Sequence, residues 1–276
     1  MQLKKMIGIV INETNYSESS KILNIYTRDY GIISVISKGC KKIKSPLRSV
    51  SAKLTYAEFI INYKDGTIST LTSADIIDSF RNIHTDIVCV SYAMYILDLA
   101  SNVAKQNTDY EIFDKLISAL KMINNGLPSK VITIILQTQY LKYLGIDLNI
   151  DGCAICGNNS DIITLNVDKG GYVCSNCYEN ETIVSQKTIK LLRMFYYVDI
   201  DKISKINVSD KIVKELDKFL EEYYDKYSGI YLKSKKFLDV ISNWKDTHSR
   251  IFLTKYVKCG IMCTYFGGAG NGKNFI

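Results

Sequence analysis

The chain has 276 residues, with 35 Lys and Arg against 28 Asp and Glu, which gives a formal net charge of +7. A chain of this length can bury a large core and is expected to hold two domains, and its mild excess of positive charge favours an anionic partner. No run of 18 apolar residues occurs, and the apolar stretch Met6–Ile11 is too short for the core of a signal peptide. These observations argue against a membrane-spanning or secreted protein and predict a cytoplasmic one.

The first 80 residues are predicted to form five short strands. The segments are rich in Ile, Val, Thr and Tyr and are separated by turn-like sequences; they are Lys5–Ile11, Lys21–Thr27, Ile32–Lys38, Thr55–Tyr63 and Ser69–Asp78. Asp65-Gly66 between the last two is a hairpin signal. Five strands in so short a stretch indicate a small closed barrel, of which the oligonucleotide-binding (OB) fold is a common case.

A run of positive charge lies between the third and fourth predicted strands. From Tyr30 to Ala57 the chain has no acidic residue, and the six cations of residues 38–53, here called the basic segment, are Lys38, Lys41, Lys42, Lys44, Arg48 and Lys53. Because Gly39 and Pro46 bracket its centre, we expect a projecting loop beside the barrel. On an OB barrel such cations would neutralise phosphates, so nucleic-acid binding is predicted there. An ordinary solvated loop is the alternative interpretation.

Aromatic side chains of the barrel region could stack on bases. The candidates are Tyr16, Tyr26, Tyr30, Tyr56, Phe59 and Tyr63. The chain contains 20 tyrosines, and most must simply pack in cores, so the sequence assigns no single ring to stacking.

From about Thr85 the apolar periodicity becomes helical. Helices are predicted around Ile87–Ala100 and Ile112–Ile123, and a third from an N-capping Ser129 to Leu144, where Gly145 ends it. Three more are expected, capped by Ser185, capped by Ser209, and beginning near Ser234. The fold class is therefore α+β, with a barrel domain over residues 1–80 and a helical domain over residues 81–276.

Two C-x-x-C pairs interrupt the helical region. Cys153 and Cys156 form the first pair and Cys174 and Cys177 the second, within a segment, residues 150–180, that we call the cysteine knuckle. Two such turns can close a tetrahedron around one Zn²⁺, and four protein ligands leave no open position, which predicts a structural site. Few apolar residues lie between the pairs, so the metal is expected to supply the local folding energy. Disulfides and a redox motif are the alternatives.

Catalytic chemistry finds little support in the sequence. The two histidines, His84 and His248, lack a neighbouring serine or cysteine pattern that would form a triad. Residues 267–273 have the G-x-x-x-x-G-K spacing of a phosphate loop, but Asn274 stands where Ser or Thr should bind Mg²⁺. The chain then ends before a helix could follow, so nucleotide binding is not expected. No role is assigned to Cys40, Cys89, Cys259 or Cys263, and the protein is predicted to be no enzyme.

Several segments resemble the RecO family of bacterial recombination-mediator proteins. Asn15–Ile22 is similar to the family's early Y-x-E-x-S stretch, and Ser37–Lys42 to its K-G-(small)-R-R turn. Further similarity lies at Thr72–Asp75, at Leu144-Gly145 before the cysteines, and at Leu232–Lys236. The resemblance covers about residues 1–240, and the tail after about Trp244 matches no family pattern.

The resemblance implies an N-terminal OB barrel, a helical domain and an inserted zinc knuckle. It implies binding to single- and double-stranded DNA, annealing of complementary strands, and cooperation with RecR in loading RecA onto DNA coated by single-strand-binding protein. The basic positions Lys38, Lys41, Lys42, Lys44 and Arg48 would contact DNA. Neither a membrane nor a small-molecule substrate is expected. The rival hypotheses are a zinc-ribbon scaffold that binds only proteins, and a cryptic nuclease.

Overall fold

The computed structural model describes residues 2–247, and its N-terminal part is a closed five-stranded barrel. The strands are β1 (Gln2–Asn15), β2 (Lys21–Thr27), β3 (Gly31–Ser37), β4 (Tyr56–Tyr63) and β5 (Ser69–Asp78). They follow the order β1-β2-β3-β5-β4, with β1 also paired to β4. The predicted strands and the α+β fold class are confirmed; β1 extends beyond its predicted limits because its two halves pair with different neighbours.

The long strand β1 closes the barrel because it changes partner along its length. Its first half pairs with β4 and its second half with β2, and an extra residue, Ile11, forms a bulge between the partners of Val10 and Asn12. At Gly8, where both neighbours pair, a Cβ atom would lie 2.8 Å from Ile25 Cγ2 and 2.9 Å from the Tyr26 carbonyl oxygen. Glycine therefore permits the close approach of strands that the closure needs.

The interior of the barrel is filled by alternate residues of the strands, as the period of two requires. These buried side chains form one apolar cluster that includes Met6, Val10, Leu23, Ile25, Val35, Ala57, Phe59, Ile61 and Leu71. The two edges of the sheet meet where Val35 and Ile36 of β3 pair in parallel with Ser69 and Thr70 of β5.

The second half of the basic segment packs on the barrel, which the prediction of a projecting loop did not include. It contains a short helix, α1 (Leu47–Val50), whose Val50 belongs to the barrel's apolar cluster and whose Leu47 packs against it. Leu54 is fully buried, and its amide donates to the Val10 carbonyl oxygen. Burial of these apolar residues holds the second half of the segment against the barrel, whereas Lys42, Ile43 and Lys44 in its first half are exposed.

The helical part consists of five helices and the inserted cysteine knuckle, followed by one further helix. The helices are α2 (Ile87–Gln106), α3 (Tyr110–Asn124), α4 (Ser129–Tyr140), α5 (Gln186–Tyr197), α6 (Asp210–Tyr227) and α7 (Lys233–Thr247). Helix α4 is buried along nearly its whole length and packs against α2, α3, α5 and α6. It is therefore the central helix of this part.

Polar side chains of the buried helix α4 fix its position among its neighbours. Gln137 Nε2 donates to the Tyr95 hydroxyl at 2.9 Å, and the Tyr224 hydroxyl donates to the Gln137 carbonyl oxygen. Gln139 Nε2 donates to two carbonyl oxygens at the end of α5, those of Phe195 and Val198. Since a buried amide without partners is costly, these bonds select one register of α4 against α2, α5 and α6.

The helix limits correct two predictions and confirm one. Ser129 is not an N-cap, because Pro128 occupies the cap position and no side chain bonds the first turn of α4. That helix ends at Tyr140, and a 3-10 turn, Lys142–Leu144, leads to Gly145 in the left-handed conformation. Ser185 is confirmed as the cap of α5, since its hydroxyl accepts from the Thr188 amide.

Contacts between Cα atoms divide the described residues into two compact units. One comprises residues 2–81 together with 233–247, and the other residues 82–232, so α7 groups with the barrel. The domain limits 1–80 and 81–276 stay a prediction. By its length and composition, helix α2 could cross a membrane. However, 67% of its apolar 18-residue stretch is buried within the protein. Its apolar composition is accounted for by packing in the core of the second unit.

Candidate metal centre and candidate nucleic-acid interface

The cysteine knuckle is a β-hairpin preceded by a tight turn. Its strands are β6 (Ile162–Asn166) and β7 (Gly171–Cys174), and a 3-10 turn, Ser175–Cys177, follows. In the turn around the first cysteine pair, the Cys153 amide donates to the Asn158 carbonyl oxygen at 2.7 Å, and the Gly157 amide donates to the Cys153 carbonyl oxygen. Gly157 adopts φ of 75°, which suits glycine in this turn. The fold thereby brings the second pair opposite the first.

The four cysteine sulfurs converge at the base of the hairpin. All four Sγ atoms lie within 4.8 Å of one another, and Cys156 Sγ lies 3.6 Å from Cys174 Sγ. A tetrahedron of thiolates with metal–sulfur bonds of about 2.3 Å has sulfur–sulfur edges of about 3.8 Å. None of the four is in a disulfide. The donor set and its spacing fit a tetrahedral metal ion, so these four residues could hold one.

The backbone of the knuckle also favours a thiolate. Burial raises the pKa of Cys153, but hydrogen bonds from backbone amides of the knuckle, among them those of Cys156 and Cys174, outweigh burial and lower that pKa to about 6. Hydrogen bonding with Cys156, burial and the other thiols raise the pKa of Cys177 to about 12. Cys153 and Cys177 thus differ in their tendency to ionise, and a bound cation would favour the thiolate form of both.

The hairpin of the knuckle has an apolar core, which corrects the expectation that too few apolar residues lie between the cysteine pairs to form one. Ile162, Leu165, Tyr172 and Val173 are all buried. Strand β6 packs on α5, and the Tyr172 hydroxyl donates to the Ile189 carbonyl oxygen of that helix. The sequence could not show this, because helix α5, on which the hairpin packs, lies outside the segment that the cysteines enclose.

The basic segment lies beside the turn that joins β1 to β2. The Lys41 amide donates to the Ser19 carbonyl oxygen at 3.0 Å, and Lys41 Nζ donates to the Ser17 carbonyl oxygen at 3.2 Å. The Gly39 amide donates to the Ser20 hydroxyl. In OB folds the loop between the first two strands belongs to the oligonucleotide-binding face. The cations of the basic segment are therefore next to the expected face.

The cations of the basic segment differ in how exposed they are to solvent. Among the described residues, four are exposed and form no salt bridge: Lys38, Lys42, Lys44 and Arg48. Lys41 and Lys53 are half-buried. The exposed four are thus the cations best placed to meet an external anion.

The barrel places the candidate aromatic residues in different environments. Tyr26 and Phe59 are buried, and so cannot stack on a base. Tyr16 is 59% exposed in the turn between β1 and β2, beside the basic segment. Tyr30 and Tyr63 lie together elsewhere on the barrel, with ring centroids 5.7 Å apart. Burial thus separates rings that the sequence could not distinguish.

Comparison with known proteins decides the family. Residues 1–80 match the family model described as recombination protein O N terminal, and residues 84–236 match the one described as recombination protein O C terminal. The chain belongs to the RecO family. It is 35% identical over 247 residues to the DNA repair protein RecO of Bacillus cytotoxicus, which covers 88% of this chain and 99% of the relative.

Other members of the RecO family show the same relationship. The DNA repair proteins RecO of Bacillus mycoides and Bacillus cereus are 34% and 35% identical over 247 residues, again with 88% of this chain and 99% of each relative covered. The protein is therefore a DNA repair and recombination protein of the RecO family. The similarity spans both the barrel and the helical part.

Some positions singled out in the sequence fall beyond the part that the structure describes. His248, Cys259, Cys263 and the glycine-rich residues 267–273 all lie outside residues 2–247. Of the remaining single candidates, His84 is exposed in a 3-10 turn and Cys40 is buried in the basic segment. The RecO-family assignment of DNA contacts to the basic segment stays a prediction.

Proposed function

We propose that this RecO-family protein is a non-enzymatic mediator of DNA repair and recombination in the cytoplasm, associated with the nucleoid. It binds single- and double-stranded DNA, anneals complementary strands and, with RecR, helps to load RecA onto DNA coated by single-strand-binding protein. The observation that carries the proposal is the position of the basic segment. Its exposed cations without salt bridges lie beside the β1–β2 turn of an OB barrel.

The physical basis of annealing is charge neutralisation. Two complementary strands repel each other through their phosphates, and each bound cation releases condensed counterions and lowers that repulsion. Lys38, Lys42, Lys44 and Arg48 would contact the phosphates, with Lys41 and Lys53 closer to the barrel. Base pairing then completes the reaction without help from the protein. Since no covalent bond is broken, no catalytic group is required.

We further propose that the cysteine knuckle holds one structural Zn²⁺. Cys153, Cys156, Cys174 and Cys177 would be its ligands, and a saturated four-thiolate set offers substrate no open position. When bound, the ion supplies a rigid cross-link between the turn and the hairpin. The knuckle would thereby fix the connection between α4 and α5, in the part of the protein that we expect to recruit protein partners.

Charge reversal in the basic segment tests the DNA-binding proposal. Replacing Lys38, Lys42 and Lys44 by Glu leaves the Lys41 contact with the β1–β2 turn intact and changes only exposed side chains. We expect the affinity for single-stranded DNA to fall more than tenfold and the salt slope to lose about 0.7 for each lost phosphate contact. Fluorescence anisotropy with a labelled oligonucleotide at several salt concentrations measures both quantities.

A matched control separates local contact from net charge. Lys169, Lys205 and Lys214 are exposed lysines of the second unit, and their replacement by Glu changes the net charge by the same amount. This control should retain most of the affinity. Equal loss in both triple variants would remove the basic segment from the mechanism.

Two outcomes would favour the rival functions. If the unaltered protein forms no saturable complex with any nucleic acid at low salt, it is a protein-binding scaffold and the mediator proposal fails. If the same probe is cleaved when Mg²⁺ is added, the protein is a nuclease. Anisotropy with and without added RecR then tests whether the complex with DNA changes when the proposed partner is present.

A further inference from the structure

The end of the barrel opposite the basic segment carries a second cationic and aromatic cluster. The basic segment joins the end of β3 to the start of β4, so the β2–β3 turn and the end of β4 lie at the other end of the barrel. Lys4, Tyr30, Tyr63 and Lys64 meet at that end, which we call the barrel mouth. Together with Gln2 and Asp65 they line an open depression of about 430 Å³.

Lys4 is positioned unusually for a surface lysine. It shares the side of β1 with the buried Met6 and Gly8, and so it stands where the next core residue would be. Its Nζ atom lies 4.4 Å from the ring centroid of Tyr30 and 4.6 Å from that of Tyr63. Contacts of a cation with two ring faces hold the ammonium group in place without neutralising it.

The barrel mouth keeps both charge and ring surface available. Lys4 and Lys64 form no salt bridge among the described residues. The nearby carboxylate of Asp65 accepts from the Tyr63 hydroxyl at 3.2 Å. Tyr30 remains 42% exposed. Lys4 is only half-buried, so its charge and the exposed part of the Tyr30 ring can both reach a ligand.

We propose that the barrel mouth is a second contact for single-stranded nucleic acid. Tyr30 offers the exposed part of its ring to a base, while Lys4 and Lys64 meet the adjacent phosphates. This inference rests on the proposed DNA-binding function and adds a second point of attachment to it. Stacking on a tyrosine distinguishes a nucleic acid from an acidic peptide, which would use the two lysines alone.

The distance between the two ends of the barrel sets the length of strand required. Strand β2 runs from the side of the basic segment to the mouth, and its seven residues span about 24 Å. OB folds cover about 4–16 nucleotides, so only the longer ligands of that range can reach both ends. Dependence of affinity on oligonucleotide length therefore reports the second contact.

The test compares oligothymidines of about 4 and about 16 nucleotides, the limits of an OB-fold site. Anisotropy is measured with the full chain carrying Tyr30→Ala, Tyr30→Phe or Lys64→Glu. Tyr30→Ala should weaken binding of the longer strand about tenfold and leave the shorter one nearly unchanged, because only the longer strand gains the stacking contact at the mouth. Tyr30→Phe retains the ring and should bind like the unaltered protein, and Lys64→Glu should lower the salt slope for the longer strand by about 0.7.

The control is Tyr231→Ala, which removes a tyrosine that is 66% exposed and far from the mouth in sequence. It should not alter either affinity. If Tyr30→Ala also binds both strands normally while the charge-reversed basic segment loses them, the mouth is no contact and the proposed function stands. If a polyglutamate peptide of equal charge displaces the longer strand from the unaltered protein but not from Lys64→Glu, the mouth is a site for acidic peptides and the proposal is overturned. If the unaltered protein binds neither strand, both proposals fail together.

Discussion

The barrel and the cysteine knuckle are stabilised by different interactions. The barrel is held by a continuous apolar cluster from all five strands, and its cations lie outside that cluster. The knuckle has only a small hairpin that shares the core of α5, and its distinctive atoms are four converging sulfurs. The exposed cations of the barrel can therefore change with little effect on folding, whereas we expect the four thiols of the knuckle to contribute to its folding energy. The predictions that follow test this contrast.

The largest effect is expected when a proposed metal ligand of the knuckle is removed. Cys174→Ala deletes a fully buried donor, and structural zinc sites contribute apparent binding energies of about 10–16 kcal/mol in small peptides. The bound metal should fall from one equivalent per chain to none, and residues 150–180 should become sensitive to protease. Metal analysis and limited proteolysis measure these changes. Cys89→Ala, in α2, is the control and should keep the metal.

A large effect of another kind is expected in the barrel core. Phe59→Ala removes a fully buried ring from the apolar cluster and should lower the free energy of unfolding by about 3–5 kcal/mol. The loss should be the same with and without a chelator, because all four proposed metal ligands lie in the knuckle and none in the barrel. Denaturant titration measures it, and Ile43→Ala, at an 86% exposed position, is the control. A loss that depends on the chelator would contradict the separation of the two regions.

A smaller effect is expected at the helix on which the knuckle packs. Ser185 accepts a hydrogen bond from the Thr188 amide at the start of α5, so Ser185→Ala should cost about 1 kcal/mol. Ser209→Ala is a matched control, because Ser209 holds the same position in α6 without a capping bond from its side chain. Equal losses in the two variants would show that the cap is not the cause. Thermal unfolding of both variants gives the comparison.

The smallest effect depends on pH. Hydrogen bonds from backbone amides, first that of Glu179, and from the Asn166 side chain lower the pKa of Glu181 from 4.5 to about 2, although desolvation opposes them. Its carboxylate therefore stabilises the fold fully above about pH 4.5, and this contribution disappears as the pH falls towards 2. Glu181→Gln should be less stable than the unaltered protein at neutral pH, with the difference shrinking through that window.

Denaturant titrations across the window test this sign, with Glu179→Gln as the control for loss of a neighbouring exposed carboxylate. A difference that grows on acidification would mean that the hydrogen bonds to Glu181 do not favour its charged form.

The sequence alone predicted most of the barrel and the four cysteines that the fold brings together. Strands β2 and β5 were placed to the residue, because segments rich in Ile, Val, Thr and Tyr that are bounded by turn sequences are a local signal for strands. The four cysteines were identified because thiolate spacing in a metal turn is local. The ends of a strand were missed where pairing with distant strands decides them. Strand β1 continues through polar residues because two different strands pair with it.

Only the tertiary structure decided where those parts meet. The tertiary structure positions the basic segment by burying Val50 and Leu54 against the barrel, where the sequence indicated only a charged loop. It also set Lys4 between Tyr30 and Tyr63, residues distant in the chain. A pattern of neighbouring residues determines local conformation and which face is apolar. Which side chains come together across the barrel depends on how the sheet closes, and closure is a property of all five strands at once.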